Sequence, residues 1–162
     1  MSFEFNADEV FEMAEQIERN GVEFYRSAAD TLAGDPEGRS FLIKLAEMEE
    51  DHEDVFSEMR ASLTNEQRVA TVGDPDTDAL GYLRALADTR VFFKKQIDTS
   101  SMVEILKAAI TVEKDSIAFY LGMKEMVPAR RGKEKIEEII KEEMDHIRLL
   151  SNELMARKSE LA

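Results

Sequence analysis

Both histidines of the chain sit in one four-residue pattern. His52 closes Glu49-Glu50-Asp51-His52, and His146 closes Glu143-Met144-Asp145-His146. On a helix, a glutamate and a histidine three apart project from one face on adjacent turns. That face is apolar in both cases. Leu42, Leu45, Phe56, Met59 and Leu63 run at helical spacing through the first pair, and Ile136, Ile139, Ile140, Ile147 and Leu150 through the second. Glu49, His52, Glu143 and His146 therefore occupy places where Leu or Ile would otherwise point into a core. A buried, unpaired carboxylate is too costly to be casual, so something must neutralise it.

Two more glutamates share this setting. Glu18 stands among Phe11, Ala14, Ile17, Val22, Tyr25 and Ala29, and Glu113 stands among Leu106, Ile110, Ile117 and Tyr120. The inward set is thus Glu18, Glu49, His52, Glu113, Glu143 and His146. Four carboxylates carry four negative charges and neutral imidazoles add none, so two divalent cations would balance the set. Oxygen and imidazole donors suit iron or manganese, and no soft donor is present to select copper(I). Six protein ligands shared by two metals leave positions open for peroxide, dioxygen or water.

The elements that must position these groups are legible from caps and periodicity. Asn6 with Glu9 forms a capping box that opens a helix over 7–32. Gly34-Asp35-Pro36 ends it and starts a second helix over 36–63, antiparallel to the first because the link is short. A polar stretch, 64–77, contains the turn signal Gly73-Asp74-Pro75. Leu80, Leu83, Leu86, Ala87 and Val91 then predict a shorter helix over 78–97 inside a long connection. Ser101 with Glu104 opens a third long helix over 101–127, and a tight link through Gly132 leads to a fourth over 133–157, followed by a charged, frayed tail.

The chain also repeats itself. Glu18 and Glu113 are 95 residues apart, while Glu49 and Glu143, and likewise His52 and His146, are 94 apart; Tyr25 and Tyr120 each follow their glutamate by seven. Two helical hairpins of one design, joined by a crossover, predict an all-α, ferritin-like four-helix bundle in a single domain spanning 1–162. A bundle with two single-Glu helices and two Glu-x-x-His helices is a di-iron or di-manganese carboxylate arrangement.

With these motifs in this order, from about Asn6 to Arg157, the chain resembles rubrerythrin-like proteins of the ferritin-like superfamily, in the form with only the four-helix domain. The resemblance implies a pair of iron ions, with manganese or a mixed pair as variants. It implies that Glu49 and Glu143 bridge the two metals and that Glu18, His52, Glu113 and His146 are terminal ligands. It leaves open which histidine shares an ion with which terminal glutamate. Tyr25 and Tyr120 correspond to tyrosines whose hydroxyls bond ligand glutamates across the bundle. Two departures stand out. There is no cysteine, hence no rubredoxin-like iron site, so any electrons are expected from a separate protein or reductant, a rubredoxin-like protein being one such donor. The extra glutamate of rubrerythrins proper, one turn before the third-helix ligand, is Ile110 here; the matching first-helix position is Glu15, a candidate seventh carboxylate whose plainer reading is a rim charge.

Composition narrows the classes. Without cysteine, disulfides, thiolate chemistry and Cys-ligated zinc or iron–sulfur sites are excluded. A formal net charge of −14 argues against nucleic acid as partner. No apolar run approaches membrane-spanning length and the N-terminus lacks a basic region followed by an apolar one, so neither a membrane span nor a signal peptide is expected, and a cytoplasmic location is. Glu50, Asp51, Glu142 and Asp145 fall off the apolar stripes and are expected in solvent. The nine methionines read as core filler, and Tyr82 has no evident role. Phe92-Phe93 suggest a homodimer contact. The function expected is a non-haem di-iron oxidoreductase acting on hydrogen peroxide or dioxygen. Its alternatives are ferritin-like iron handling, a hydroxylase or aldehyde-processing relative, and a metal-free structural bundle.

Overall fold

A computed structural model describes residues 6–69, 81–83, 85–86, 98–127 and 130–160. The described chain forms α1 (Ala7–Asp30), α2 (Pro36–Ala61), a short α3 (Asn65–Val69), α4 (Met102–Met126) and α5 (Arg130–Glu160). Residues 81–83, 85 and 86 are also helical. The remainder of the expected 78–97 helix, Gly73-Asp74-Pro75 and Phe92-Phe93 lie outside the described residues.

Local chemistry starts α1 to α4. Asn6 accepts from the Glu9 amide at 2.8 Å while the Glu9 carboxylate accepts from the Asn6 amide at 2.9 Å, satisfying two donors that a helix start leaves unpaired. Asp35 caps α2 by accepting from Gly38 N at 3.0 Å, and Pro36 sits where its missing N–H costs nothing. At α4, Ser101 accepts from Glu104 N at 3.2 Å, whereas the Glu104 side chain accepts from Lys107 Nζ at 3.1 Å. Only half of the expected box is therefore made. The polar stretch after α2 is not purely a link: Thr64 and Gln67 cap each other reciprocally at 3.2 and 2.9 Å and open α3. That Thr-x-x-Gln pattern is itself a helix-start signal. The fourth long helix continues to Glu160, past the expected end at 157.

α1 packs on α2 and α4 on α5 as antiparallel hairpins, and the hairpins face one another across a common interior. Two apolar clusters fill it. One gathers Phe11, Ile17, Phe56, Phe119, Met123, Ile136 and Ile140; the other gathers Phe24, Leu42, Leu45, Ile105, Leu106 and Leu150. Burying each such side chain contributes about 1.5–3 kcal/mol, which lets the bundle tolerate a polar layer between the clusters. The crossover is anchored too. Gly122 of α4 admits Tyr82 and Leu83, since a Cβ there would lie 2.7 Å from the Tyr82 ring, and the Tyr82 hydroxyl donates to Ala118 O at 2.6 Å. Tyr82, without an evident role in sequence, ties the crossover to the second hairpin.

Candidate metal centre

The polar layer is built from the middle turns of the four long helices. α1 supplies Glu18 and Tyr25, α2 supplies Glu49 and His52, α4 supplies Glu113 and Tyr120, and α5 supplies Glu143 and His146. All eight are at most 4% exposed. The i to i+3 spacing puts each Glu-x-x-His pair on one face, and the apolar neighbours turn that face inward.

Two overlapping donor sets result: Glu18, Glu49, His52 and Glu143, and Glu49, Glu113, Glu143 and His146. Within each, one donor atom per residue lies within 4.8 Å of the others. Glu49 and Glu143 belong to both sets, the placement a bridging carboxylate requires. The pairing left open by the sequence now has a geometry. His52 Nδ1 lies 3.6 Å from Glu18 Oε2, and His146 Nδ1 lies 3.7 Å from Glu113 Oε1. Each Nδ1 also faces the shared acids: His52 at 3.2 Å from Glu143 Oε1, and His146 at 2.9 Å from Glu143 Oε2 and 3.1 Å from Glu49 Oε1. The imidazole rings stack at 5.4 Å and 16°.

The tyrosines cross the bundle. Tyr25 of α1 donates to Glu113 Oε1 on α4, and Tyr120 of α4 donates to Glu18 Oε1 on α1. Glu18 thus has Oε1 held and Oε2 turned toward His52, whereas on Glu113 the oxygen that Tyr25 holds is also the one nearest His146. Burial, with the neighbouring glutamates, pushes both phenols well above their ordinary range. They stay neutral donors.

The electrostatics describe a site that holds protons where cations fit. Burial raises Glu49 well above the usual carboxyl range, reinforced by Glu113, Glu143 and Glu18. Burial, then Glu18 and Glu113, raises Glu143 to about 8. Burial alone would lower His52, but the Glu143 and Glu18 carboxylates beside its Nδ1 outweigh it and lift the imidazole to about 11. His146 is lifted to about 9, against burial, by Glu113 and Glu143. Burial alone would raise Glu18, yet its contacts with His52, Glu49 and Tyr120 hold it below the ordinary range.

Whether the set fits a metal pair is answered by its unpaired atoms. Glu18 Oε2, Glu49 Oε1, Glu143 Oε2 and His146 Nδ1 are buried and, although His146 Nδ1 lies close to two of these oxygens, none of the four makes a well-formed hydrogen bond, where such groups are normally satisfied. All four face the common interior, are donors of the kind that iron and manganese accept, and sit among carboxylates whose charge two divalent ions cancel. The residues fit.

The other sequence candidates sort clearly. Glu15 is buried but stands outside both donor sets, because Arg60 Nη1 donates to it at 2.9 Å. The same guanidinium grips Asp8 through Nε and Nη2, both at 2.9 Å, and Arg68 adds a third bond to Asp8 at 2.8 Å. These bonds hold Asp8 below the usual carboxylate range. Ile110 packs against the second apolar cluster. Asp51 and Asp145 are exposed, and Glu50 pairs with Arg26. Glu142 is exposed as expected, its side chain 62% accessible, and its Oε2 also lies 2.6 Å from His52 Nε2. No spacing within one helix could reveal this, since the contact joins α2 to α5.

No protein-family model matches the chain, and no curated protein matches it either. Among solved structures, a protein of Thermotoga maritima described as ferritin-like and diiron-carboxylate is similar in fold. The TM-score is 0.71 at 22% identity, over 96% of this chain and 98% of that one. The chain therefore has the fold of a ferritin-like helical bundle, with a buried carboxylate–histidine cluster at its centre.

Proposed function

We propose that this bundle is a non-haem di-iron oxidoreductase of rubrerythrin type, reducing hydrogen peroxide or oxidising ferrous iron at a carboxylate-bridged metal pair. The observation that carries the reading is the overlap of two four-residue donor sets in Glu49 and Glu143. The fold neighbour described as diiron-carboxylate supports it. Bound iron supplies the one-electron steps that the protein's own side chains cannot.

The chain's residues do the rest. Glu49 and Glu143 would be shared by the two ions, Glu18 with His52 would hold one, and Glu113 with His146 would hold the other. Tyr25 and Tyr120 fix the terminal carboxylates in one orientation. The apolar clusters on either side keep bulk water out, which strengthens every electrostatic contact inside. These 162 residues contain no cysteine and so no thiolate-held iron site to supply electrons, and a rubredoxin-like protein is the natural kind of donor.

Anaerobic loading with ferrous iron tests the reading. Two ions per chain are expected, followed in stopped-flow by faster oxidation with peroxide than with oxygen. The reverse order would favour ferroxidase chemistry, and no stoichiometric metal would leave a structural bundle. Native mass separates catalysis from storage: a dimer fits the former and a 24-subunit shell the latter.

A further inference from the structure

The internal repeat makes an unlike pair visible next to the donor sets. Glu142 precedes Glu143 on α5, and the residue that the repeat places opposite it, before Glu49 on α2, is Met48. His52 keeps Nδ1 toward the interior and turns Nε2 to Glu142, 2.6 Å away. The carboxylates around His146, from Glu49, Glu113 and Glu143, all face its Nδ1. Met48 is partly buried against the second apolar cluster, and its thioether is only a weak acceptor.

A histidine that binds metal through Nδ1 must carry its proton on Nε2. A carboxylate on that proton fixes the tautomer and ring orientation and makes the ligand more basic. Among the described residues, His52 has this support and His146 does not. The geometry points to two inequivalent metal positions, with Glu142 as the positioning residue that makes the Glu18–His52 position the tighter one. Resting on the metal-pair reading above, the inference adds an order of filling and a cause for it. The first divalent ion enters beside His52, and the second, beside His146, is the more exchangeable.

Cobalt(II), titrated anaerobically into metal-free protein and followed by its visible absorption, tests this. The unmodified protein is expected to bind two ions in separate steps. Glu142→Gln keeps an acceptor but removes the charge. It is expected to weaken the tighter step by about 10–100-fold and leave the weaker one in place, while Met48→Glu narrows the gap from the other side. A second readout distinguishes positioning from general damage: in cobalt-loaded protein, one histidine N–H is expected to exchange slowly with solvent, and Glu142→Gln is expected to accelerate that one alone. Two indistinguishable steps in the unmodified protein, or unchanged or equally weakened steps in Glu142→Gln, overturn the inference and leave the metal pair standing. No cobalt uptake by the unmodified protein overturns both.

Discussion

Carried across by the repeat, Glu18 falls on Glu113, Glu49 on Glu143, His52 on His146 and Tyr25 on Tyr120. One step outward the correspondence fails: Glu15 falls on Ile110, Gly21 on Ser116, and Met48 on Glu142. The α1–α2 and α4–α5 hairpins thus agree on what faces the centre and disagree on what stands behind it. Charge explains the agreement. Each inward acid is buried, so altering one leaves its partners unpaired at a cost of about 3–5 kcal/mol. Residues behind the ligands carry no such penalty, so they can diverge and tune each half separately.

The largest effect should come from the shared carboxylates, where the hairpins ought to be indistinguishable. Glu49→Ala and Glu143→Ala each remove an acid belonging to both donor sets. Either is expected to take bound iron from two ions per chain toward none, measured by elemental analysis after anaerobic reconstitution. Glu18→Ala and Glu113→Ala should each retain one ion. If Glu49→Ala keeps both, Glu49 does not bridge and the symmetric description of the centre fails.

Proton linkage gives the next largest effect and a test of the centre as one unit. Glu49 and Glu143 hold protons more tightly folded than unfolded, and so do both histidines. For a raised group, the stability it contributes is present below the unfolded pKa and lost as pH rises through the folded one. Glu143 loses it between its unfolded value of 4.5 and about 8, and His146 between 6.5 and about 9. Glu18 has the opposite sign, stabilising above its unfolded value and losing that on acidification. Metal-free protein in chelator should therefore melt at lower temperature as pH rises from about 5 to 9. Metal affinity should rise over the same range, because bound ions displace those protons. A melting temperature flat with pH would mean that the centre does not hold these protons.

The inner symmetry is legible in the amino-acid sequence because each of its parts leaves a trace there. Glu-x-x-His within apolar periodicity fixes the face, the 94- and 95-residue offsets fix the correspondence, and Asn6, Asp35 and Ser101 mark helix starts. The outer asymmetry is visible there as unlike residues, but the partners those residues find leave no such trace. Glu142 reaches His52 from another helix, and Arg60 claims Glu15 across the α1–α2 interface. Both are contacts between side chains that look solvated in their own helices. Long polar side chains reach several ångströms off their stripe, so hydropathy periodicity says nothing of where their ends lie. The α3 cap, Thr64 with Gln67, is readable in principle, but the polar stretch around it obscures the signal.

The tyrosines offer a sharper comparison of like with like. Tyr25→Phe frees Glu113 Oε1, and Tyr120→Phe frees Glu18 Oε1. A buried acceptor left unsatisfied costs about 1–3 kcal/mol, or a fall of about 2–4 °C in Tm per kcal/mol for a chain of this size. Equal losses from the two variants are expected in thermal melts of metal-free protein. Unequal losses would show that the asymmetry of the outer residues already reaches the terminal ligands.

Gly21 and Ser116 give the smallest effect and the most direct view of the divergence. A Cβ at Gly21 would lie 3.3 Å from both Cγ and Oε2 of Glu49, tighter than ordinary contact, so the carboxylate must yield by a few tenths of an ångström. Glu49 is common to both donor sets, and small displacements of a ligand matter where geometry must be held within about 0.5 Å. At Ser116 the matching helix already accommodates a side chain, whose hydroxyl donates to Val112 O at 3.1 Å. Such back-bonding in a helix interior is neutral to slightly unfavourable. Gly21→Ala is therefore expected to loosen both cobalt-binding steps by several-fold with little change in metal-free stability, and Ser116→Ala to change neither measurably. Weakening by Ser116→Ala as large as that by Gly21→Ala would show that the room behind the bridging carboxylates is shared equally by the two halves, and that their divergence begins only at Glu142.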